Sequence, residues 1–225
     1  MRTTIAIVPI ALFAFACRSG ATDTSPSTSA PAPSAARPAI ASNAKAELGQ
    51  PAPDFELSDL DGKAVHLKDF AGKIVVLEWF NPECPFVKRN HTQGPLKTMA
   101  KEQMAKGIVW LSINSGAAGK QGAGVENSRA GKQRYGMENP ILIDADGAVG
   151  RAYGARTTPH MYVIDAKGVL VYRGAIDNAQ DGDPPGGEKF VNYVGAALGE
   201  IAAGKPVTTP ETKSYGCSVK YGTNS

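Results

Sequence analysis

Cys84 is the side chain best placed for chemistry in this chain. It follows an apolar run at residues 74–80 and the turn Asn81-Pro82, and Pro85 comes next at the first position of a predicted helix. That order makes Cys84 the residue that caps the helix. Unpaired N–H groups and the positive dipole end of a helix N-terminus favour thiolate over thiol. Because thiolate is the nucleophilic form of cysteine, we predict that Cys84 is an accessible nucleophile.

The chain has three cysteines among 225 residues, which is too few for a fold built on disulfides. Cys17 lies in the N-terminal leader, so Cys217 is the other cysteine of the predicted domain. Attack of a thiolate on a disulfide gives a mixed disulfide, and a second thiol must release the product. We hypothesise that Cys217 resolves the mixed disulfide. A fixed structural disulfide with Cys84, or a contact with another chain, stays open as the alternative.

Glu78 interrupts the apolar run before Cys84. In a dry sheet such a carboxylate could pass protons during thiol chemistry, which would make it a catalytic residue. A solvated gap or a lysine partner would instead make it structural, and the sequence leaves both interpretations open. Lys88 and Arg89 could stabilise a thiolate or could belong to a solvated helix face.

Residues 1–17 have the pattern of an export signal. Residues 5–15 are apolar but too few to span a bilayer. Cleavage before Cys17 would leave a cysteine for acylation, which resembles a bacterial lipoprotein signal, although Ala14 stands where that pattern prefers leucine. Secretory cleavage after Ala16 is the alternative. We therefore expect an exported protein of the cell envelope or periplasm, anchored to the membrane through lipid if Cys17 is acylated.

Residues 18–48 are rich in Ser, Thr, Ala and Pro and have too little apolar surface to offset chain entropy, so we predict a disordered linker. The folded domain is predicted over residues 49–204, a size typical of one domain. Residues 205–225 are predicted as a flexible tail that carries Cys217. The net charge of +3 forms no basic stripe, so no nucleic-acid partner is predicted, and no cofactor is predicted either.

Strands and helices alternate along the predicted domain. Strands are predicted over residues 54–57, 64–67, 74–80, 108–114, 141–144, 160–165 and 169–173. Helices are predicted over residues 84–104, with a break at Gly94-Pro95, and over 125–135, 147–153 and 188–203. A continuous apolar strand is typical of a sheet covered on both faces. The pattern therefore predicts an α/β fold with helices on both sides of one sheet.

Three segments resemble thioredoxin-fold proteins. Residues 77–84 resemble their active-site strand, and residues 55–63 resemble the opening hairpin of the redoxin branch. The segment Thr157-Thr158-Pro159 is similar to the cis-proline loop of that fold. This resemblance implies a thioredoxin-like fold with a mixed central sheet, in the redoxin (AhpC/TSA-type) superfamily. It also implies that Thr158, Pro159 and Pro85 bind the substrate beside Cys84.

Thioredoxins carry Cys-x-x-Cys, and Val87 stands at the second cysteine here. Residues 84–88 and 216–220 together resemble a peroxiredoxin-like group that retains the first cysteine only. Peroxiredoxins show Pro-x-x-x-Thr-x-x-Cys, whereas Leu77 and Asn81 stand at the proline and threonine positions. We therefore expect an enzyme that performs thiol-disulfide exchange on a protein or small-molecule substrate, with an unidentified reductant. A peroxiredoxin-like antioxidant peroxidase is the second candidate.

Two further functions stay open. Copper carriers of this fold use cysteines with a histidine, and His91 and His160 lie near the predicted site. Lys88 occupies the position of their second cysteine, so no metal site is predicted. A redoxin scaffold that only binds a partner, with purely structural sulfurs, is the other alternative.

Overall fold

The structure is a computed structural model, and it describes residues 45–223. The predicted signal peptide, Cys17 and residues 18–44 of the predicted linker lie outside the described residues. In the described part of the chain, no helix is long and apolar enough to span a membrane.

Residues 45–223 form nine strands and five α-helices, with three short 3-10 turns. The strands are β1, Glu56–Asp59; β2, Ala64–His66; β3, Val75–Trp79; β4, Val109–Asn114; β5, Ile141–Ile143; β6, Thr157–Thr158; β7, His160–Ile164; β8, Leu170–Gly174; and β9, Cys217–Ser218. The helices are α1, Pro85–Thr92; α2, Met99–Met104; α3, Gly124–Tyr135; α4, Ala148–Tyr153; and α5, Tyr193–Ala202. The 3-10 turns are Leu67–Phe70, Pro95–Lys97 and Pro185–Gly187.

Seven strands form a mixed sheet in the order β2-β1-β5-β4-β3-β7-β8. β3 runs parallel to β4 and β4 runs parallel to β5, whereas β7 is antiparallel to both β3 and β8. The hairpin of β1 and β2 adds to β5 in antiparallel orientation. The predicted mixed α/β sheet is thus confirmed. The remaining strands, β6 and β9, form a separate two-stranded sheet.

β3 lies in the centre of the sheet and is buried on both faces. Because side chains alternate along a strand, Leu77 and Trp79 point to one face and Val76 to the other. The first face packs against α4, and the second packs against α2 and α5. Helices therefore cover both faces, as predicted.

A third apolar cluster lies beneath α1. It joins Cys84 and Val87 to Phe80 and to Tyr135 of α3. The long helix predicted over residues 84–104 is divided into α1, a 3-10 turn and α2. The division follows the predicted break at Gly94-Pro95, because proline cannot continue the helical hydrogen bonds.

Helix α5 begins at Tyr193 rather than at residue 188. Asn178 holds the intervening segment in extended form, because its side chain accepts a hydrogen bond from the Val191 amide at 2.8 Å. Asn192 then caps the first turn of the helix with its side chain. The amphipathic pattern in the sequence begins before this cap, so the predicted start of the helix at residue 188 was wrong.

The segment that follows α5 packs along the domain, although its sequence indicated no regular structure. Thr212 and Arg173 join it to β8, since the Thr212 amide donates to the Arg173 carbonyl at 3.1 Å. Further on, β9 pairs with β6. We call residues 215–221 the C-terminal strap. Its final residues are held by the Lys220 carbonyl, which accepts a hydrogen bond from the Ala117 amide at 2.9 Å.

Candidate active site

Cys84 caps helix α1, and Pro85 occupies the first helical position, as the sequence predicts. The turn before it is shaped by Asn81, whose side-chain oxygen accepts a hydrogen bond from the Glu83 amide at 2.9 Å. The Asn81 carbonyl accepts the Cys84 amide at 3.1 Å. Pro85 is exposed at the rim of the site. This turn therefore positions Cys84 at the N-terminus of α1, next to the end of strand β3.

Cys84 is 1% exposed, so the prediction of an accessible nucleophile is wrong. No amide of α1 donates to the sulfur as a cap. The thiol instead donates a hydrogen bond to the Thr158 carbonyl at 3.0 Å. The C-terminal strap contributes to this burial, since Cys217 packs against the same cluster of side chains. Cys84 is therefore a buried thiol that is hydrogen-bonded to the cis-proline loop.

The peptide bond between Thr158 and Pro159 is cis, as the resemblance implied. Both residues are buried, so the predicted substrate-binding surface is occupied. The Thr158 side chain lies 3.5 Å from the Cys217 carbonyl, to which it donates. Thr158 therefore contacts both cysteines, through its own carbonyl on one side and its hydroxyl on the other.

Cys217 lies on β9 directly opposite Thr158 in the antiparallel register. Both Cys84 and Cys217 are free thiols. Burial, and then the hydrogen bond and charge of the neighbouring Cys84 side chain, raise the pKa of Cys217 to about 11. Cys217 is therefore protonated at neutral pH. The structure thus brings together two sulfurs that lie far apart in the sequence, at the cis-proline loop.

Glu78 is fully buried, and three donors surround its carboxylate. The distances to its oxygens are 2.7 Å from His91 Nε2, 3.2 Å from Trp110 Nε1 and 3.1 Å from Ser112 Oγ. Glu78 is 0% exposed and no lysine is among its partners within residues 45–223, so the solvated gap and the lysine partner considered for it were both wrong. None of the hydrogen bonds of this carboxylate within residues 45–223 reaches Cys84.

His91 is the nearest hydrogen-bond partner of Glu78, and the sequence did not predict this pairing. It is 4% exposed and lies on α1, the helix that Cys84 caps. Its ring stacks on Tyr135 at 5.4 Å between ring centroids, and the Tyr135 hydroxyl donates to the Pro82 carbonyl at 2.7 Å. The buried acid is thereby connected to the turn that precedes Cys84. The spacing of His91 from Cys84 indicates that both lie on one helix, but it does not indicate that His91 contacts Glu78.

His160 has an environment that suits a neutral ring. Its Nδ1 atom accepts a hydrogen bond from the Arg156 amide at 3.3 Å and lies 3.1 Å from the Tyr162 hydroxyl. Burial, followed by the charges of Arg173 and Arg156, lowers the pKa of His160 to about 3. Among residues 45–223, no group of three or more His, Cys, Asp or Glu side chains is arranged to hold a metal ion.

The family model described as Redoxin matches residues 47–189. Thiol-disulfide oxidoreductase ResA of Bacillus thuringiensis subsp. konkukian is 31% identical over 128 residues, which are 56% of this chain and 69% of the relative. Thioredoxin-like protein YneN of Bacillus subtilis is 32% identical over 122 residues, which are 54% of this chain and 68% of the relative.

Two solved structures share the fold over most of their length. An uncharacterized conserved protein from Geobacillus kaustophilus has a TM-score of 0.70 and 30% identity, with 84% of this chain and 98% of that chain covered. A hypothetical protein from Sinorhizobium meliloti has a TM-score of 0.69 and 30% identity, with 79% and 96% covered. The fold is thioredoxin-like, as the three sequence segments implied.

Proposed function

Because this chain belongs to the Redoxin family, we propose that it is a thiol-disulfide oxidoreductase whose redox pair is Cys84 and Cys217. The observation that carries the proposal is that two free thiols meet at the cis-proline loop, where Cys84 donates to the Thr158 carbonyl and Cys217 pairs with Thr158 across the short sheet. Relatives named thiol-disulfide oxidoreductase support the same activity. The second sulfur comes from β9 rather than from the position of Val87, where thioredoxins have it.

The chemistry proceeds in two exchanges that conserve atoms and electrons. The Cys84 thiolate attacks one sulfur of a substrate disulfide, forms a mixed disulfide and releases the other substrate sulfur as a thiolate. Cys217, after losing its proton, then attacks the Cys84 sulfur and releases the second substrate thiolate. Two substrate thiols and a Cys84–Cys217 disulfide result. An external dithiol returns the enzyme to its reduced form by the reverse exchange, and the substrate is a protein or small-molecule disulfide.

The neighbouring residues have separate roles in this proposal. Thr158 and Pro159 position the substrate beside Cys84, and Pro85 forms the exposed rim. Glu78 is proposed to handle protons behind the site, and His91 is its hydrogen-bond partner there.

Peroxide reduction has less support than disulfide exchange. Asn81 stands where peroxiredoxins have threonine, and its side chain is committed to the turn. Its amide nitrogen donates to the Gln121 carbonyl at 3.1 Å, and its oxygen accepts the Glu83 amide. A peroxide would therefore lack the hydroxyl that positions it.

An insulin-reduction assay with dithiothreitol tests the activity of the full chain. We expect Cys84→Ser to lower the rate to that of dithiothreitol alone. In a separate reaction without dithiothreitol, reduced Cys217→Ser retains the first exchange, so a mixed disulfide at Cys84 accumulates and is identified by mass spectrometry. Cys17→Ser is the matched control and leaves the rate unchanged. The proposal is wrong if Cys84→Ser retains activity, or if peroxide is the oxidant consumed and disulfides are not.

The location of the enzyme is a further part of the proposal. Residues 1–17 are proposed as a lipoprotein signal peptide, residues 18–48 as a linker, residues 49–204 as the redoxin domain and residues 205–225 as the C-terminal tail. Acylation of Cys17 would anchor the domain in the cell envelope. Metabolic labelling with palmitate should label the chain, and Cys17→Ala should remove the label. Secreted, unlabelled protein would support ordinary secretory cleavage instead.

A further inference from the structure

We propose that the C-terminal strap is a displaceable cover, which must leave the cis-proline loop before a substrate disulfide can reach Cys84. The proposal rests on the proposed function, because it concerns entry to the same sulfur. It adds a regulatory step: the strap that carries the resolving thiol is also the strap that closes the site.

The strap binds the cis-proline loop in the way that an extended polypeptide adds to a sheet edge. β9 pairs antiparallel with β6, with Cys217 opposite Thr158 and Ser218 opposite Thr157. Backbone hydrogen bonds of this kind bind extended peptides with little dependence on their side chains. The C-terminal strap therefore occupies the edge of β6, where an extended substrate would bind, and it places Cys217 near Cys84.

Gly216 allows the strap to come this close. A Cβ atom at this position would lie 2.1 Å from the Thr158 carbonyl oxygen, the atom that accepts the Cys84 thiol. Its φ of +130° also lies in a region that favours glycine. Any larger residue at position 216 would push the strap away from the loop, so the closed arrangement depends on this glycine.

Two tyrosines hold the strap, one at each end. The Tyr215 hydroxyl donates to Asp177 Oδ1 at 2.6 Å, and the Tyr221 hydroxyl donates to the Ala155 carbonyl at 2.9 Å. The ladder between them has only the two residue pairs of β6 and β9. The Tyr215 ring also packs in the apolar cluster beneath α5, and Val219 packs against the cluster on the other face of the sheet, so opening of the strap must release these side chains together with the short ladder.

One buried group beneath the strap is left unpaired in the closed arrangement. Asn90 is fully buried, and its side-chain nitrogen lies 3.4 Å from the Tyr215 hydroxyl. Its oxygen, Oδ1, has no hydrogen-bond partner within the described residues. Through Tyr215, the strap therefore contacts a buried polar side chain of α1, the helix that Cys84 caps.

Closure and chemistry are coupled through the same cysteines. With the strap docked, Cys84 is 1% exposed and cannot meet a second disulfide. Opening exposes it for the first exchange, and return of the strap brings Cys217 to the mixed disulfide. Formation of the Cys84–Cys217 bond then attaches the strap covalently. The reduced enzyme can open, whereas the oxidised enzyme stays closed until a dithiol reduces it.

The rate at which iodoacetamide alkylates Cys84 measures opening directly. The parent for this experiment is the full chain with Cys17→Ala and Cys217→Ser, in which Cys84 is the only thiol. Adding Gly216→Val should raise the rate roughly ten-fold or more, because the strap can no longer dock. Gly199→Val is the matched control, since a Cβ atom there meets nothing within 4 Å. Equal rates in the parent and in Gly216→Val would overturn the proposal.

Hydrogen exchange on the unsubstituted chain decides the question independently of how well Gly216→Val folds. We expect the amides of residues 215–221 to exchange faster than those of β3 in the reduced protein, and to slow when the disulfide forms. Protection equal to that of β3 in the reduced protein would contradict a displaceable cover.

The same variants separate failure of the cover from failure of the enzyme. If the strap covers the site but the chain is not an oxidoreductase, Gly216→Val is alkylated quickly yet forms no mixed disulfide with hydroxyethyl disulfide. If the chain is an oxidoreductase without a cover, the parent forms the mixed disulfide as fast as Gly216→Val does.

Discussion

The two sides of Cys84 differ in how completely their polar groups are paired. Behind it, the buried Glu78 carboxylate has three partners, and His91 is the nearest at 2.7 Å. In front of it, the strap is joined to the loop by a two-residue ladder, and the Cys84 thiol has one acceptor, the Thr158 carbonyl.

This difference separates a rigid side of the site from a movable one. A buried group with all its partners present opens only when the surrounding core opens, because each lost hydrogen bond would leave a desolvated polar atom. The strap is held by a two-residue ladder and by one tyrosine hydroxyl at each end, so we expect it to open at a lower free energy than the core. Helix α1 is therefore held in place from behind while the front of Cys84 opens and closes.

Replacing His91 tests the rigid side and has the largest expected effect. His91→Ala leaves the Glu78 carboxylate buried without its closest partner, so the free energy of unfolding should fall by about 3–5 kcal/mol. Urea denaturation measures the change. Lys88→Ala, at an exposed position of the same helix, is the control and should alter stability by less than about 0.5 kcal/mol. A loss below about 1 kcal/mol for His91→Ala would mean that the rear of the site is not held by this pair.

A second buried carboxylate, Asp144, gives a pH-dependent effect near the end of the strap. Burial raises its pKa to about 6, although Ser115 and the Gly150 amide hydrogen-bond to it. Since the folded-state pKa is raised, its contribution to stability is complete below the unfolded value of 3.8 and is lost as pH rises through about 6. The free energy of unfolding should therefore fall by up to about 3 kcal/mol between pH 4 and pH 7.

Asp144→Asn is the variant that checks this assignment. It removes the titrating group, so the fall in stability between pH 4 and pH 7 should become smaller than in the parent. Denaturant unfolding at several pH values measures both proteins. If the two proteins show the same dependence on pH, another group is responsible.

Short-range features of the site could be predicted from the sequence. The order of an apolar strand, a turn, Cys84 and Pro85 defines the helix cap, because each residue acts on its immediate neighbours. The cis bond before Pro159 followed from a resemblance of three consecutive residues. The buried strand at β3 was also predictable, since its apolar run leaves no polar face.

Long-range contacts could not be predicted in the same way. The partner of Glu78 depends on how α1 crosses β3, and no period in the sequence encodes that crossing. The closure of the strap depends on Gly216, whose neighbour Thr158 belongs to a distant loop. The sequence therefore indicated Cys217 as a partner for Cys84, but not that its segment would cover the site.

The smallest expected effect on stability belongs to the strap, and it sharpens the contrast with His91. Tyr215→Phe removes the hydrogen bond to the buried Asp177 but keeps the ring, so the free energy of unfolding should fall by about 1.5–3 kcal/mol. Alkylation of Cys84 should nevertheless become several-fold faster, because the lost bond holds the cover rather than the core. Thermal denaturation and iodoacetamide labelling of one sample measure both quantities. A large loss of stability without faster labelling would place Tyr215 in the rigid part of the molecule and would contradict the division drawn between the two sides of Cys84.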